Sequence, residues 1–447
     1  MTGNNGEIKN RLVVRVAVAA LSSPLEIGAD RADTAVVKLA DLLKANGCEV
    51  ISLGAIDTPE KAVQAGRKLA EEHVDAIAFA PVSWFEDYLA LDLLEECNVP
   101  LLFWSLPGME TGSLCGTQQL TCYLKQLEQP FSCVFGEIEN KECLKKAVAF
   151  LKATALKNRL RRSRIGLAGH RVGGMTHTSA NEFMLKKVIG CRVIPLDLPQ
   201  LLEKAKQVTE KEAQERWKKV VQNAGTCNVL EKDGIYSMQV YTALKELIAE
   251  HRLDALSIGC YPRLMGRVCL AASLLADEGI PLACEGDVNG AVGQLILTLL
   301  TGQPTHNTDF LEPLEDGSVI FSHCGSGSFS LAENKKDIVL DSVRLMGQGV
   351  CALFPSKSGS VTLISLIARP DGYQCAVLEG EAISTKMVFP GNPVRVRFNQ
   401  PVDRIIDWIF NKGIAHHWMI GYGHVADKIR LLSSIICDKM RLNILEN

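Results

Sequence analysis

Several features that would assign this chain at once are missing from it. No uninterrupted apolar run approaches the roughly 20 residues a spanning helix needs; the longest, such as 295–300, are core-sized. There is no basic excess, since 48 Lys and Arg face 51 Asp and Glu for a net charge of −3. That balance gives no reason to expect a nucleic-acid partner or an anionic membrane surface. None of the 15 cysteines forms a CxxC pair; they are odd in number and scattered among apolar neighbours. Such spacing points to buried, reduced thiols in a cytoplasmic protein rather than a disulfide framework. The first ten residues are polar and lack the basic-then-apolar layout of a signal peptide. No internal repeat or low-complexity tract is visible.

What is present is a length of 447 residues, 47% apolar and 22% charged, which suits a globular enzyme of two or three domains. Apolar, valine-rich runs at 12–21, 49–53, 74–80 and 100–104 read as strands buried on both faces of a parallel sheet. Amphipathic stretches at 30–45, 59–73 and 86–96 read as the helices between them. The helix at 141–155 is followed by a basic stretch, 157–164, read as its exposed end plus a linker. A second α/β cycle starts at 164–169, with strands expected near 191–195, 255–259 and 281–285. Beyond about residue 310 short β-branched runs (318–322, 361–368, 373–379, 393–398) alternate with turn residues, the pattern of antiparallel sheet. Helical segments at 403–410 and 425–437 close the chain. The expected fold is α/β: two doubly wound, Rossmann-like domains (1–160 and 161–305) and a smaller β-rich C-terminal domain (306–447).

Two carboxylates stand out. Glu285 follows a short apolar strand and precedes a helix, so it sits at the strand's C-terminal tip, where open α/β sheets bind ligands. Asp309 lies 24 residues later, just past that helix, and can return to the same rim. Asp287 reads as the N-cap of the intervening helix, which Gly302 ends. Of nine histidines, His73 and His251 fall on ordinary helix surfaces, while His170, His177, His306, His323, His416, His417 and His424 fall in loops. Imidazoles beside carboxylates suit a divalent transition metal, and a mostly oxygen site leans towards Mn²⁺. His170 and Arg171, in a turn whose glycines lack phosphate-loop spacing, are candidate substrate-binding residues, as are Tyr261 and Trp84. For Trp84, apolar packing or a subunit contact is an equal reading.

These residues carry a resemblance. Glu285-Gly286-Asp287-Val288-Asn289-Gly290, then Thr301-Gly302, then Asp309, resembles the metal-binding segment of the L-fucose isomerase family. Ala415-His416-His417-Trp418 followed by Gly423-His424-Val425-Ala426-Asp427 resembles that family's histidine-ligand segment. Within it His417, seven residues before His424, falls at the ligand position, and His416 is the weaker candidate. The related L-arabinose isomerases use a further histidine about where His323 stands, so His323 is a candidate fourth ligand. The resemblance implies Glu285, Asp309, His417 and His323 as ligands of Mn²⁺ or another divalent cation. It also implies a homo-oligomer, trimer or hexamer, with shared sites.

The chemistry of the residues agrees with an aldose–ketose isomerase acting on a free sugar of fucose or arabinose type through an enediolate. A proton leaves the carbon beside a carbonyl and returns to its neighbour, work that Glu285 and Asp309 are suited to. Two alternatives stand beside this reading. One is an isomerase or epimerase for a modified or acidic sugar on the same scaffold; the other is a non-catalytic sugar-binding protein.

Overall fold

The computed structural model describes residues 10–436 and 440–445. Its first sheet has five parallel strands in the order Cys48–Ile56, Val14–Leu21, Ala76–Pro81, Leu101–Ser105, Phe131–Phe135. Val16 to Leu21 are fully buried, as a strand covered by helices on both faces must be. The helix Pro59–Glu72 shows how local sequence sets an element: Thr58 caps it by accepting from Lys61 N, and Pro59 takes the first-turn position where no amide donor is needed. The helix Lys141–Arg162 runs through the basic stretch expected as a linker. Buried Ala155, Leu156 and Leu160 continue an apolar stripe between its cationic side chains, and the helix does not stop there.

A second parallel sheet is ordered Leu282–Ala283, Ala255–Ile258, Arg164–Ala168, Arg192–Leu196. A seven-stranded sheet follows, ordered Gly359–Arg369, His417–Tyr422, Thr305–Pro313, Ser318–Ser322, Val394–Arg397, Gly372–Ile383, Met440–Ile444. Every pairing in it is antiparallel except the last. Two α/β layers with parallel sheets and a separate β-rich sheet are therefore the fold. The chain divides into two compact units. Leu12–Arg159 and the Ala426–Ile435 helix from Asp427 onward form one; Leu160–Ala426 and the last strand form the other, which holds both the second parallel sheet and the antiparallel sheet. Among the described residues no helix is long and apolar enough to cross a membrane, and the fourteen described cysteines are free.

The helix Val288–Thr301 ties the two sheets of the larger unit together. It is buried on all sides from Val288 to Leu300, so its apolar residues need no amphipathic stripe. Asp287 caps it, accepting from Gly290 N at 2.9 Å, and Gly302 ends it at φ 66°. Gly290 and Gly293 let the strand His417–Tyr422 come close, because a Cβ there would lie 2.8 Å and 3.2 Å from Met419 side-chain atoms.

The strand before this helix is shorter than its apolar run suggests, ending at Ala283. The chain then turns through Glu285 at φ 63° and Gly286 at φ 73°. A non-glycine residue in that region is strained, and such strain gathers at functional sites. Gly286 is also pressed against backbone: a Cβ would sit 2.6 Å from Arg171 N and Cα and from His170 O. Gly286→Ala is expected to destabilise the protein by about 1–3 kcal/mol, read as a lowered denaturation midpoint. An unchanged midpoint would show that the turn is not so constrained.

Candidate active site and metal centre

Register brings the site together. In the antiparallel sheet Asp309 pairs directly with His417 on one side and with Ser322 on the other, the residue before His323. Three adjacent strands thus deliver Asp309, His417 and His323 to one edge. Glu285 and Asp287 reach the same place from the turn at the head of the buried helix.

His417 is 3% exposed and is held from both sides. Its Nδ1 lies 2.8 Å from Asp287 Oδ2 and its Nε2 3.0 Å from Glu285 Oε2. Burial pulls this imidazole towards the neutral form, but the hydrogen bonds to Asp287 and Glu285 outweigh it and bring its pKa up to about 9. As an imidazolium, it donates to both carboxylates. Burial likewise pushes Glu285 upward, and the nearby His323 and the hydrogen bond from His417 together overcome that, holding it at about 2. His323 is raised well above its ordinary value, because contacts with Cys284 and Glu285 exceed the effect of burial. Its Nε2 stands 3.9 Å from Glu285 Oε2 and 4.0 Å from Asp309 Oδ2.

The donor set suits a divalent ion. One ligand atom each from Glu285, His323 and His417 lie within 4.8 Å of one another, and so do atoms of Asp309, His416 and His417. Asp309 Oδ1 is buried and accepts no hydrogen bond among the described residues. His416 Nε2 and His417 Nε2 remain 3.9 Å and 3.8 Å from it. An orphaned buried carboxylate oxygen facing imidazoles across such gaps is what a cation would satisfy.

Of the residues singled out from sequence, Glu285, Asp309, His417 and His323 converge. His416 joins at the more exposed edge, its side chain 43% accessible. His170 and Arg171 form the loop wrapped over the Glu285 turn, with Val172 N donating to Glu285 O at 3.2 Å. Their side chains make local bonds: His170 Nδ1 lies 2.8 Å from Arg171 O, and Arg171 Nη1 donates to Val172 O at 3.1 Å. Tyr261 is exposed in the turn after Ala255–Ile258. Trp84 belongs to the other unit, where its indole donates to Gln119 Oε1. His306, also in the strand Thr305–Pro313, is buried against Ser356 at 3.3 Å. His424 pairs with Glu381 on the surface.

Two participants were not recognised from sequence. Asp287 is the N-cap it was expected to be, yet its other oxygen orients His417. The signal was there, since a capping carboxylate has an oxygen to spare. His177 stacks edge-on against His416 with ring centroids 4.8 Å apart and lies 6.2 Å from His417. Burial and the nearby His417 charge lower its pKa.

No family model matches the chain. It is similar to sulfoquinovose isomerase of Alkalicoccus urumqiensis, with 27% identity over 372 residues covering 80% of this chain and 83% of the relative. The sulfoquinovose isomerase of Priestia aryabhattai is 24% identical over 408 residues, covering 88% and 91%. That of Clostridium sp. (strain MSTE9) is 27% identical over 357 residues, covering 76% and 79%. These relatives support an enzyme of the aldose–ketose isomerase type; the narrower L-fucose isomerase-like assignment does not follow from them. A periplasmic solute binding protein from Actinobacillus succinogenes 130z with bound D-allose gives a TM-score of 0.18 at 10% identity, covering 65% of this chain and 92% of its own. A score that low carries no argument.

Two outcomes are expected of this geometry. Asp287→Asn keeps a good helix cap but removes the charge behind His417, so divalent-ion affinity falls about 10–100-fold with little change in the denaturation midpoint. Titration calorimetry beside a thermal melt reads both. Because His417 and His323 carry protons in the metal-free protein, a cation must displace them. Apparent affinity should rise by about tenfold or more per pH unit towards pH 9, with proton release seen in buffers of different ionisation enthalpy. Affinity independent of pH would remove both histidines from the ligand set.

Proposed function

We propose that the chain is a divalent-metal-dependent aldose–ketose isomerase for a modified sugar, working through an enediolate. The observation that carries this is the convergence of Glu285, Asp309 and His417, with His323, around an unsatisfied carboxylate oxygen. Glu285, Asp309, His417 and His323 would hold Mn²⁺ or a similar ion, which when bound supplies Lewis-acid polarisation of the sugar's carbonyl.

The chain's own residues do the rest. Glu285 is ionised, the state that accepts a proton, and Asp309 stands across the same cluster. Between them they take a proton from the carbon beside the carbonyl and return one to its neighbour. Asp287 fixes the ring of His417, so the donors are set before substrate arrives. Half-buried His177 and His416, with pKa values lowered by burial, edge the site as neutral hydrogen-bonding groups. Residues 161–305 contribute Glu285 and Asp287, and 306–447 contribute Asp309, His323 and His417. We keep that division of labour, the cytoplasmic location and the homo-oligomer implied by the family resemblance as parts of the proposal.

The relatives' name turns the substrate reading from a neutral sugar towards one bearing a sulfo group. Arg171, on the loop over the Glu285 turn, has guanidinium donors left over after its bond to Val172 O and is the residue we assign to that anion. His170 and Tyr261 keep the status of candidate sugar contacts.

The test is turnover of sulfoquinovose, L-fucose and L-arabinose with Mn²⁺ and with chelator. Sulfoquinovose is expected to react and chelator to stop it. Glu285→Gln should lower kcat by about 10²–10⁴-fold, and Arg171→Leu should raise KM for the sulfo sugar more than it lowers kcat. Turnover of neutral sugars alone would return the substrate to the fucose or arabinose type. Sugar binding without turnover, indifferent to chelator and to Glu285→Gln, would leave only a binding protein.

A further inference from the structure

Directly beside the carboxylate–histidine cluster lies a second one made of thiols. Cys260, Cys269, Cys284, Cys324 and Cys351 come from five separate segments, and all but Cys324 are at most 3% exposed. Cys269 Sγ and Cys324 Sγ are 3.9 Å apart. Cys284 Sγ lies 3.8 Å from Ser326 Oγ, and Cys260 Sγ accepts from Glu285 N at 3.4 Å. Some of this is ordinary packing. Cys269 and Cys351 sit with Met265 and Val343 in a small apolar cluster, where a thiol serves as a compact hydrophobe.

Packing does not account for the imidazole. His323 Nδ1 points into the thiols, 3.2 Å from Cys324 Sγ, while its Nε2 faces Glu285 and Asp309. Ligand atoms of Cys284, His323 and Cys324 all lie within 4.8 Å of one another. Metal–sulfur bonds of about 2.3 Å in a tetrahedral site span that spacing with little movement. Two sulfurs and a nitrogen form a soft donor set, unlike the oxygen-rich set on the other side of the same ring.

We propose that Cys284, Cys324 and His323 Nδ1 form a second metal site, selective for a soft divalent ion such as Zn²⁺, with Cys269 the nearest group for a fourth position. Binding releases the protons of both thiols and the Nδ1 proton of the His323 imidazolium, and no electron is transferred. It also changes what His323 does. A neutral imidazole bound through Nδ1 keeps its proton on Nε2, so His323 donates to Glu285 and Asp309 and no longer ligates an ion there. Zn²⁺ in the thiol site would therefore weaken Mn²⁺ binding at the carboxylates. The thiol site itself does not depend on the proposed isomerase activity.

X-ray absorption at the zinc edge tests this on the full reduced chain, loaded with one equivalent of Zn²⁺ in excess Mn²⁺. Exposed Cys115, Cys122 and Cys133 are replaced by serine to remove surface binding. The expected spectrum has two or more sulfurs at about 2.3 Å, a shell lost in both Cys284→Ser and Cys324→Ser. A shell of nitrogen and oxygen alone would overturn the proposal, a result that needs no variant at the site to fold. A sulfur shell that survives both substitutions would overturn it as well.

Discussion

The antiparallel pairing of Asp309 with His417 is the constraint on which the site depends. Side chains of paired residues project from the same face of a sheet, so this register puts an acid and an imidazole side by side. A slip of one residue between the two strands would leave one side chain on this face and send the other to the opposite face. The next strand carries Ser322 opposite Asp309 and so sets where His323 can begin. Asp287 then locks the arrangement from outside the sheet. One of its oxygens caps the buried helix, the other holds His417 Nδ1, and helix position and ring orientation become one variable.

Concentrating charge in this way is unfavourable in itself. Buried carboxylates and imidazoles lose hydration, and only mutual pairing offsets the loss. In the metal-free chain, imidazolium groups do that pairing, which is why His417 rises to about 9 and Glu285 falls to about 2. Asp309 Oδ1 stays unsatisfied even so. The same groups that stabilise one another without an ion are the donors an ion would require, so proton and cation compete for one set of lone pairs. Backbone strain at Glu285 belongs to the same pattern, since its left-handed conformation turns the chain sharply from strand to helix beside the cluster.

Much of this was legible in the sequence, for identifiable reasons. The strand Ser318–Ser322 was read to the residue because its β-branched alternation is bounded by turn residues on both sides. Asp287 and Gly302 marked the helix ends through local chemistry alone. What failed was whatever local pattern does not encode. The apolar residues before Glu285 looked like a full strand, but only Leu282 and Ala283 pair, because the positive-φ turn takes over immediately. The basic stretch after residue 155 looked like a linker because charge masked the spacing of Leu156 and Leu160. The link from Asp287 to His417 spans 130 residues, and His177 meets His416 across 239, so both needed the folded chain. So did the thiols around His323, which looked like unrelated buried cysteines.

The central claim is that Glu285, Asp309 and His417 surround one divalent ion. Anomalous scattering from a crystal of the full chain grown with saturating Mn²⁺ and a sugar-derived polyol tests it most directly. The account predicts a single strong manganese peak within bonding distance of Glu285, Asp309 and His417, with two polyol oxygens completing its shell. No peak there, or manganese held by other residues while His417 still bonds Glu285 directly, would contradict it.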